Sequence, residues 1–168
     1  MGTFDTTREA AAIPANGGAA ILADPEHHSA GPGPYVMDAA TLHNDEVVNA
    51  AGDSIGTIEA IMLDVASGRI AYAVLSFGGF LGMGSKYFAI PWSALTLDAV
   101  EKRFVLAVSK EQLESAPGFD KDHWPAMADR RWASELHAHY DVSPYWEDEY
   151  GLPRDPDNVT AKRYPPVL

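Results

Sequence analysis

The sequence predicts a mainly β chain, a small barrel of about six strands followed by a C-terminal helical extension, α+β overall. Three observations carry this. From Leu42 to Val108, short apolar runs alternate with turn residues, the pattern of a small all-β domain. Inside that region, Arg69 to Phe77 alternates strictly, with Ile70, Tyr72 and Val74 on one face and Ala71, Ala73, Leu75 and Phe77 on the other. After Ser109 the apolar spacing changes from two to about 3.6 residues.

Taken in order, residues 1–35 mix Ala, Gly, Pro and Asp with a His27-His28 pair and end in Gly31-Pro32-Gly33-Pro34, without either period. Such a stretch cannot bury enough apolar surface to offset its ordering entropy and reads as a flexible arm. The barrel is expected over 36–108. Leu42–Asn49 is its first strand, closed by Ala51-Gly52-Asp53, and Ser54–Val65 is its second. In the second strand the apolar phase slips by one residue between Ile58 and Ile61, which predicts a β-bulge near Glu59-Ala60. Ser67-Gly68 is a compact hairpin turn.

Arg69–Phe77 is apolar on both faces, so it lies beneath an extra layer or lends one face to a partner subunit. Tyr87–Ile90 follows and stops at Pro91, which has no N–H for a further ladder bond. Leu95–Leu97 and Arg103–Val108 pair across Asp98–Lys102. A helical extension occupies 109–146. Ser109 caps a short helix with Gln112 completing a capping box, and Pro117-Gly118 ends it. A second helix is expected to start at Asp122 or His123 with Pro125 in its first turn, presenting Ala128, Trp132, Leu136 and Tyr140 as one stripe toward the barrel wall. Residues 147–168 form an acidic, Pro-rich tail.

The bulk chemistry narrows the function classes. With 168 residues there is room for one domain with arms. The 24 acidic against 12 basic side chains give a net charge of −12, which repels nucleic acid and anionic membranes. Cysteine is absent, which excludes disulfides and thiolate metal sites and suits a reducing, cytoplasmic setting. The N-terminus lacks the pattern of a secretory signal, and the longest uncharged run, Ile70–Ser85, is too short to span a bilayer as a helix. No membrane insertion is expected.

The chain resembles the PRC-barrel proteins. The likeness rests on Leu42 with Asn44-Asp45-Glu46-Val47-Val48-Asn49, on Gly52-Asp53-Ser54-Ile55-Gly56 with Ile58-Glu59, and on Gly68-Arg69-Ile70-Ala71-Tyr72-Ala73-Val74-Leu75. It continues through Phe77-Gly78-Gly79-Phe80-Leu81-Gly82 and Phe88-Ala89-Ile90-Pro91-Trp92. Ala116-Pro117-Gly118-Phe119-Asp120-Lys121-Asp122, Trp124-Pro125 and Pro144-Tyr145-Trp146 are similar to stand-alone bacterial members. The module is shared with the cytoplasmic part of the photosynthetic reaction-centre H subunit and the C-terminal half of a ribosome-maturation factor. The resemblance implies a small barrel used as a protein adaptor, and it brings no catalytic residues with it.

Several constellations invite chemistry, and each has a simpler reading. Gly79 and Gly84 have phosphate-loop spacing, but Ser85-Lys86 stand in the wrong order and no helix follows. Gly78, Gly79, Gly82 and Gly84 therefore form a structural hairpin loop, with Phe80, Leu81 and Met83 at its tip either folded back or offered to a partner. Glu135, His137, His139 and Asp141 give only i,i+4 pairs, so dipole-favoured helix-end histidines are expected there and no metal site. Ser76, Ser85 and Ser93 lack a nucleophile setting. Asp45, Glu46, Asp53 and Glu59 read as solvated turn and edge charge. No catalytic residue and no cofactor are expected.

The function expected from these readings is a non-enzymatic adaptor that self-associates, as a dimer first, and docks a protein partner. Its interface would comprise Leu75, Phe77, Phe80, Leu81, Met83 and Trp92. One alternative is a small-ligand or metal sensor with a pocket at the barrel mouth near Trp92. Another, implied by the resemblance alone, is a role in reaction-centre assembly or associated electron transfer.

Overall fold

The computed structural model describes residues 18–22, 36–78 and 85–147. They form one eight-stranded sheet with two α-helices. The strands are β1 (Ala20–Leu22), β2 (Glu46–Val48), β3 (Ser54–Asp64), β4 (Arg69–Phe77), β5 (Lys86–Pro91), β6 (Leu95–Asp98), β7 (Arg103–Leu106) and β8 (Gly118–Phe119). The helices are α1 (Lys110–Ser115) and α2 (Arg130–His139).

The strand order is β1-β6-β7-β2-β3-β4-β5-β8. Pairs β1/β6 and β2/β7 are parallel and the others antiparallel. The six strands expected of the barrel are the inner six, and they fold as one ladder that does not close. Closure would need β5 to pair with β6. Instead β5 ends at Pro91, a 3-10 turn over Trp92–Ala94 intervenes, and each edge of the ladder takes a short extra strand. Ala20–Leu22 is one of these additions, so part of the region expected to be a flexible arm is an ordered edge strand. The His27-His28 pair and the Gly31-Pro32-Gly33-Pro34 stretch expected in that arm lie outside the described residues, as does the tail beyond Glu147.

The bulge expected near Glu59-Ala60 is present. In the β3/β4 ladder Ile58 pairs with Leu75 and Ala60 with Val74, which skips Glu59. A second slip lies between Met62 and Leu63. Gly56 has φ +138, and a Cβ there would run into the backbone carbonyl of Ser76 on β4. Only glycine allows the two strands this approach. At the β3–β4 turn Gly68 takes φ +68, while the Asp64 carboxylate accepts from the amides of Ala66 and Ser67.

The first strand is shorter than its apolar pattern suggested, because Ala39–Leu42 forms a 3-10 turn capped by Asp38 and Asn44 adopts φ 68. Ser109 caps α1 as expected, accepting from the Gln112 amide at 3.0 Å. The second helix begins later than expected, at Arg130 rather than Asp122 or His123. Pro125 disfavours helical backbone at Trp124, and Asp129 supplies the cap by accepting from the amides of Arg131 and Trp132. Ala128 thus falls outside the helix and is exposed. The buried face of α2 comprises Ala133, Leu136 and His137, with Tyr140 just beyond it.

The core cluster includes Val47, Ile58, Leu75, Phe88, Phe104 and Leu106 of the sheet together with Leu113 of α1 and Ala133 and Leu136 of α2. Each large apolar side chain of this kind contributes roughly 1.5–3 kcal/mol on burial.

Candidate functional site

Two surfaces of β4 and its neighbours bear on function, and the structure closes one of them internally. Tyr72 is buried and meets Trp132 and His137 of α2 edge-on, with ring centroids 5.6 and 5.7 Å away. Tyr145 adds a third edge contact at 6.0 Å. Trp146 packs on His137 at 5.2 Å, and the Arg130 guanidinium lies 4.3 Å from the Trp146 ring centroid. The layer over β4 is therefore the chain's own α2 and the turn at Tyr145-Trp146.

The cover is fastened at the base of the β3–β4 hairpin. Asp64 and Arg69 are cross-strand partners there. The Tyr145 hydroxyl donates to Asp64 Oδ2 at 3.0 Å, and Arg69 Nη1 donates to the Tyr145 carbonyl at 3.0 Å. Burial raises the Asp64 pKa, but hydrogen bonds from Ser67, Tyr145 and Ala66 outweigh it and hold the carboxyl below its ordinary value. Burial, aided by Asp64, pushes the Tyr145 hydroxyl up to about 12.

His137 sits under this cover at 1% exposure. Its Nδ1 lies 2.7 Å from the Ala133 carbonyl. A carbonyl can only accept, so Nδ1 carries the proton in the neutral ring and Nε2 the lone pair. Nε2 is buried and has no hydrogen-bond partner among the described residues. Desolvation lowers the His137 pKa, only partly offset by the Ala133 bond. This corrects the expectation of a dipole-favoured helix-end histidine: His137 belongs to the buried stripe, one position beyond Leu136. Glu135 is tied instead to Arg131 at 3.1 Å.

The second surface lies where the end of β4 and the start of β5 flank positions 79–84. Among the expected interface residues, Leu75 is 0% exposed and lies in the core, where it offers nothing to a partner. Phe77 is half-buried against Phe88 at 6.2 Å, with Lys110 Nζ 5.9 Å from its ring centroid. Trp92 is half-buried against Phe104 at 5.6 Å. Phe80, Leu81 and Met83, with Gly79, Gly82 and Gly84, lie outside the described residues. Gly78 is exposed at φ +109.

Beside these strand ends is an aromatic group that the sequence reading did not assemble. Tyr87, the second residue of β5, pairs with Phe119 of β8, and their rings are 6.0 Å apart. Trp124 packs on both, at 6.0 Å from Tyr87 and 5.2 Å from Phe119. It remains 41% exposed, with its indole N–H donating to the Lys121 carbonyl at 2.7 Å. Rings this close touch one another and leave no space for a ligand between them. What they offer is an outer apolar surface. Partial desolvation and the neighbouring Glu59 raise the Tyr87 pKa. Tyr87 is remote in sequence from Phe119 and Trp124, so no linear pattern joins all three.

The other candidates resolve into structural roles. Asn49 Oδ1 accepts from the amides of Ala51 and Asp53, and Asn49 Nδ2 donates to the Asp53 carboxylate at 3.2 Å, closing a turn. An open hollow of about 290 Å³ is lined by Ala126, Asp129, Arg131, Trp132 and Glu135. Its polar groups are engaged in capping and ion pairing, and Trp92 is not among them. Among the described residues, no three His, Asp or Glu side chains are grouped to hold a metal ion, and no helix is long and apolar enough to cross a membrane.

The described residues thus form a predominantly β domain, capped by its own helix and presenting an aromatic edge. Residues 36–113 match the family model of the PRC-barrel domain, and the chain carries such a domain, as its motifs implied. No curated protein matches the chain. The match ends within α1, so α2 and the Tyr145-Trp146 cover lie C-terminal to it.

Proposed function

We propose that this protein is a non-enzymatic adaptor that self-associates and docks a protein partner through the end of its β4–β5 hairpin. The PRC-barrel match supports a general protein-interaction role. The observation that carries the choice of surface is Trp124, 41% exposed on the rings of Tyr87 and Phe119 beside the point where the loop 79–84 joins β5. The sequence between Gly78 and Ser85 also carries Phe80, Leu81 and Met83. Aromatic residues backed by rigid neighbours are the usual anchors of protein interfaces.

The face of β4 that bears Tyr72 is not part of this surface, because α2 and Tyr145 occupy it. The charge of −12 favours a partner with a basic surface around an apolar centre.

Self-association is tested by light scattering on the full chain across a concentration series. A dimer or larger species growing with concentration supports the reading, and a monomer throughout contradicts it. A ligand-sensor role predicts instead a rise in melting temperature with a metal, nucleotide or quinone, since a ligand of the folded state stabilises it by mass action.

A further inference from the structure

The β6 edge is built independently of the strand that covers it. All four residues of β6 pair with β7, from Leu95↔Leu106 to Asp98↔Arg103. The Asp98 carboxylate accepts from the amides of Val100 and Glu101, at 3.2 and 3.1 Å, and fixes the turn between the two strands. What this leaves is an edge with apolar Leu95 and Leu97 and unpaired backbone groups, which proteins ordinarily cover.

The cover is β1, only three residues long. It lies parallel to β6 with Ala20↔Thr96, Ile21↔Leu97 and Leu22↔Asp98 in register, and the Ala99 amide donates to the Leu22 carbonyl at 2.9 Å. Ala19 and Ile21 pack against the core while remaining half-buried. Parallel pairing is slightly less stable per residue than antiparallel pairing, and this one spans only three residue pairs. Positions 23–35 separate β1 from the rest of the fold, and at about 3.3 Å per residue such a length reaches up to roughly 40 Å. A strand supplied by another copy would make the same bonds and the same apolar contacts, so exchange loses no interaction.

We propose that the Ala20–Leu22 strand exchanges between two copies of this chain, each β1 docking on the β6 edge of the other to form a strand-swapped dimer. This rests on the self-association part of the proposed function and not on the hairpin-end surface. The occupant is a second copy because the segment seen to fit this edge is the chain's own.

The absence of cysteine allows a direct test on full-length protein. An Ala20→Cys chain is mixed with a Thr96→Cys chain, each carrying one thiol, and oxidised. Neighbouring strands bring paired Cα atoms within disulfide range. The expected result is a heterodimer joined at 20–96, identified by peptide mass, with a yield that rises with concentration. Adding Ile21→Asp to the first chain should abolish it, and Ile21→Asp alone should weaken dimerisation at least tenfold, since the substitution removes the apolar contact of Ile21 with the core and partly desolvates a carboxylate.

The proposal is overturned if the mixture gives no 20–96 link while a single chain carrying both Ala20→Cys and Thr96→Cys closes that link within itself. It is equally overturned if Ile21→Asp leaves a dimer unchanged by light scattering. A dimer without the link rejects strand exchange alone, whereas a monomer at every concentration rejects self-association itself.

Discussion

The Tyr145 hydroxyl donates to Asp64 Oδ2 at 3.0 Å, joining two residues 81 positions apart. This bond fastens the Tyr145-Trp146 turn over Tyr72 and His137, and so makes the outer face of β4 part of the interior. Tyr145→Phe keeps the ring contacts and removes the bond. It should destabilise the fold by about 1 kcal/mol in urea unfolding. Because Tyr145 titrates at about 12 when folded against about 10 when unfolded, its contribution is complete below pH 10 and is lost as pH rises toward 12. Tyr145→Phe should flatten that alkaline limb.

Acid acts on His137. Its folded pKa lies below its ordinary value of 6.5, so the unfolded chain binds the proton first as pH falls. Stability should hold above pH 6.5 and decline below it until the folded pKa is reached, no more steeply than about 1.4 kcal/mol per pH unit for this group. His137→Gln should remove that part of the slope. Unfolding midpoints of both proteins between pH 7.5 and 5 check this.

Gly56→Ala places a Cβ against the Ser76 carbonyl at a φ of +138. Steric conflict and backbone strain together should cost roughly 2–4 kcal/mol, read as a lower urea midpoint. Gly68→Ala meets no neighbouring atom and carries only the strain of φ +68, so it should cost about 1 kcal/mol.

Much of the sheet was legible in the sequence because strand side chains alternate and a slip in that alternation has one structural meaning. The apolar phase from Ile58 to Ile61 located the Glu59 bulge, and Ser109 with Gln112 located a helix start. The sequence was silent where tertiary position overrides local pattern. Ala20–Leu22 has no periodicity to show and is a strand because β6 needs a cover. His137 reads as a polar helix-end residue, yet the helix phase turns it under Tyr145 and Trp146. Trp124 joins Tyr87 and Phe119 through a chain reversal that no spacing encodes. Leu75 illustrates the converse, since an apolar residue on a doubly apolar strand reads equally as core or interface, and only the packing shows it is core.

The adaptor reading is tested most directly by parallel affinity capture from the native cell with wild-type protein and with Leu81→Asp and Trp124→Ala variants, each first shown to unfold at the wild-type urea midpoint. A defined protein partner should be retained by the wild type and lost, or reduced at least tenfold, with either variant. Equal recovery of that partner by all three proteins would contradict docking at the hairpin end.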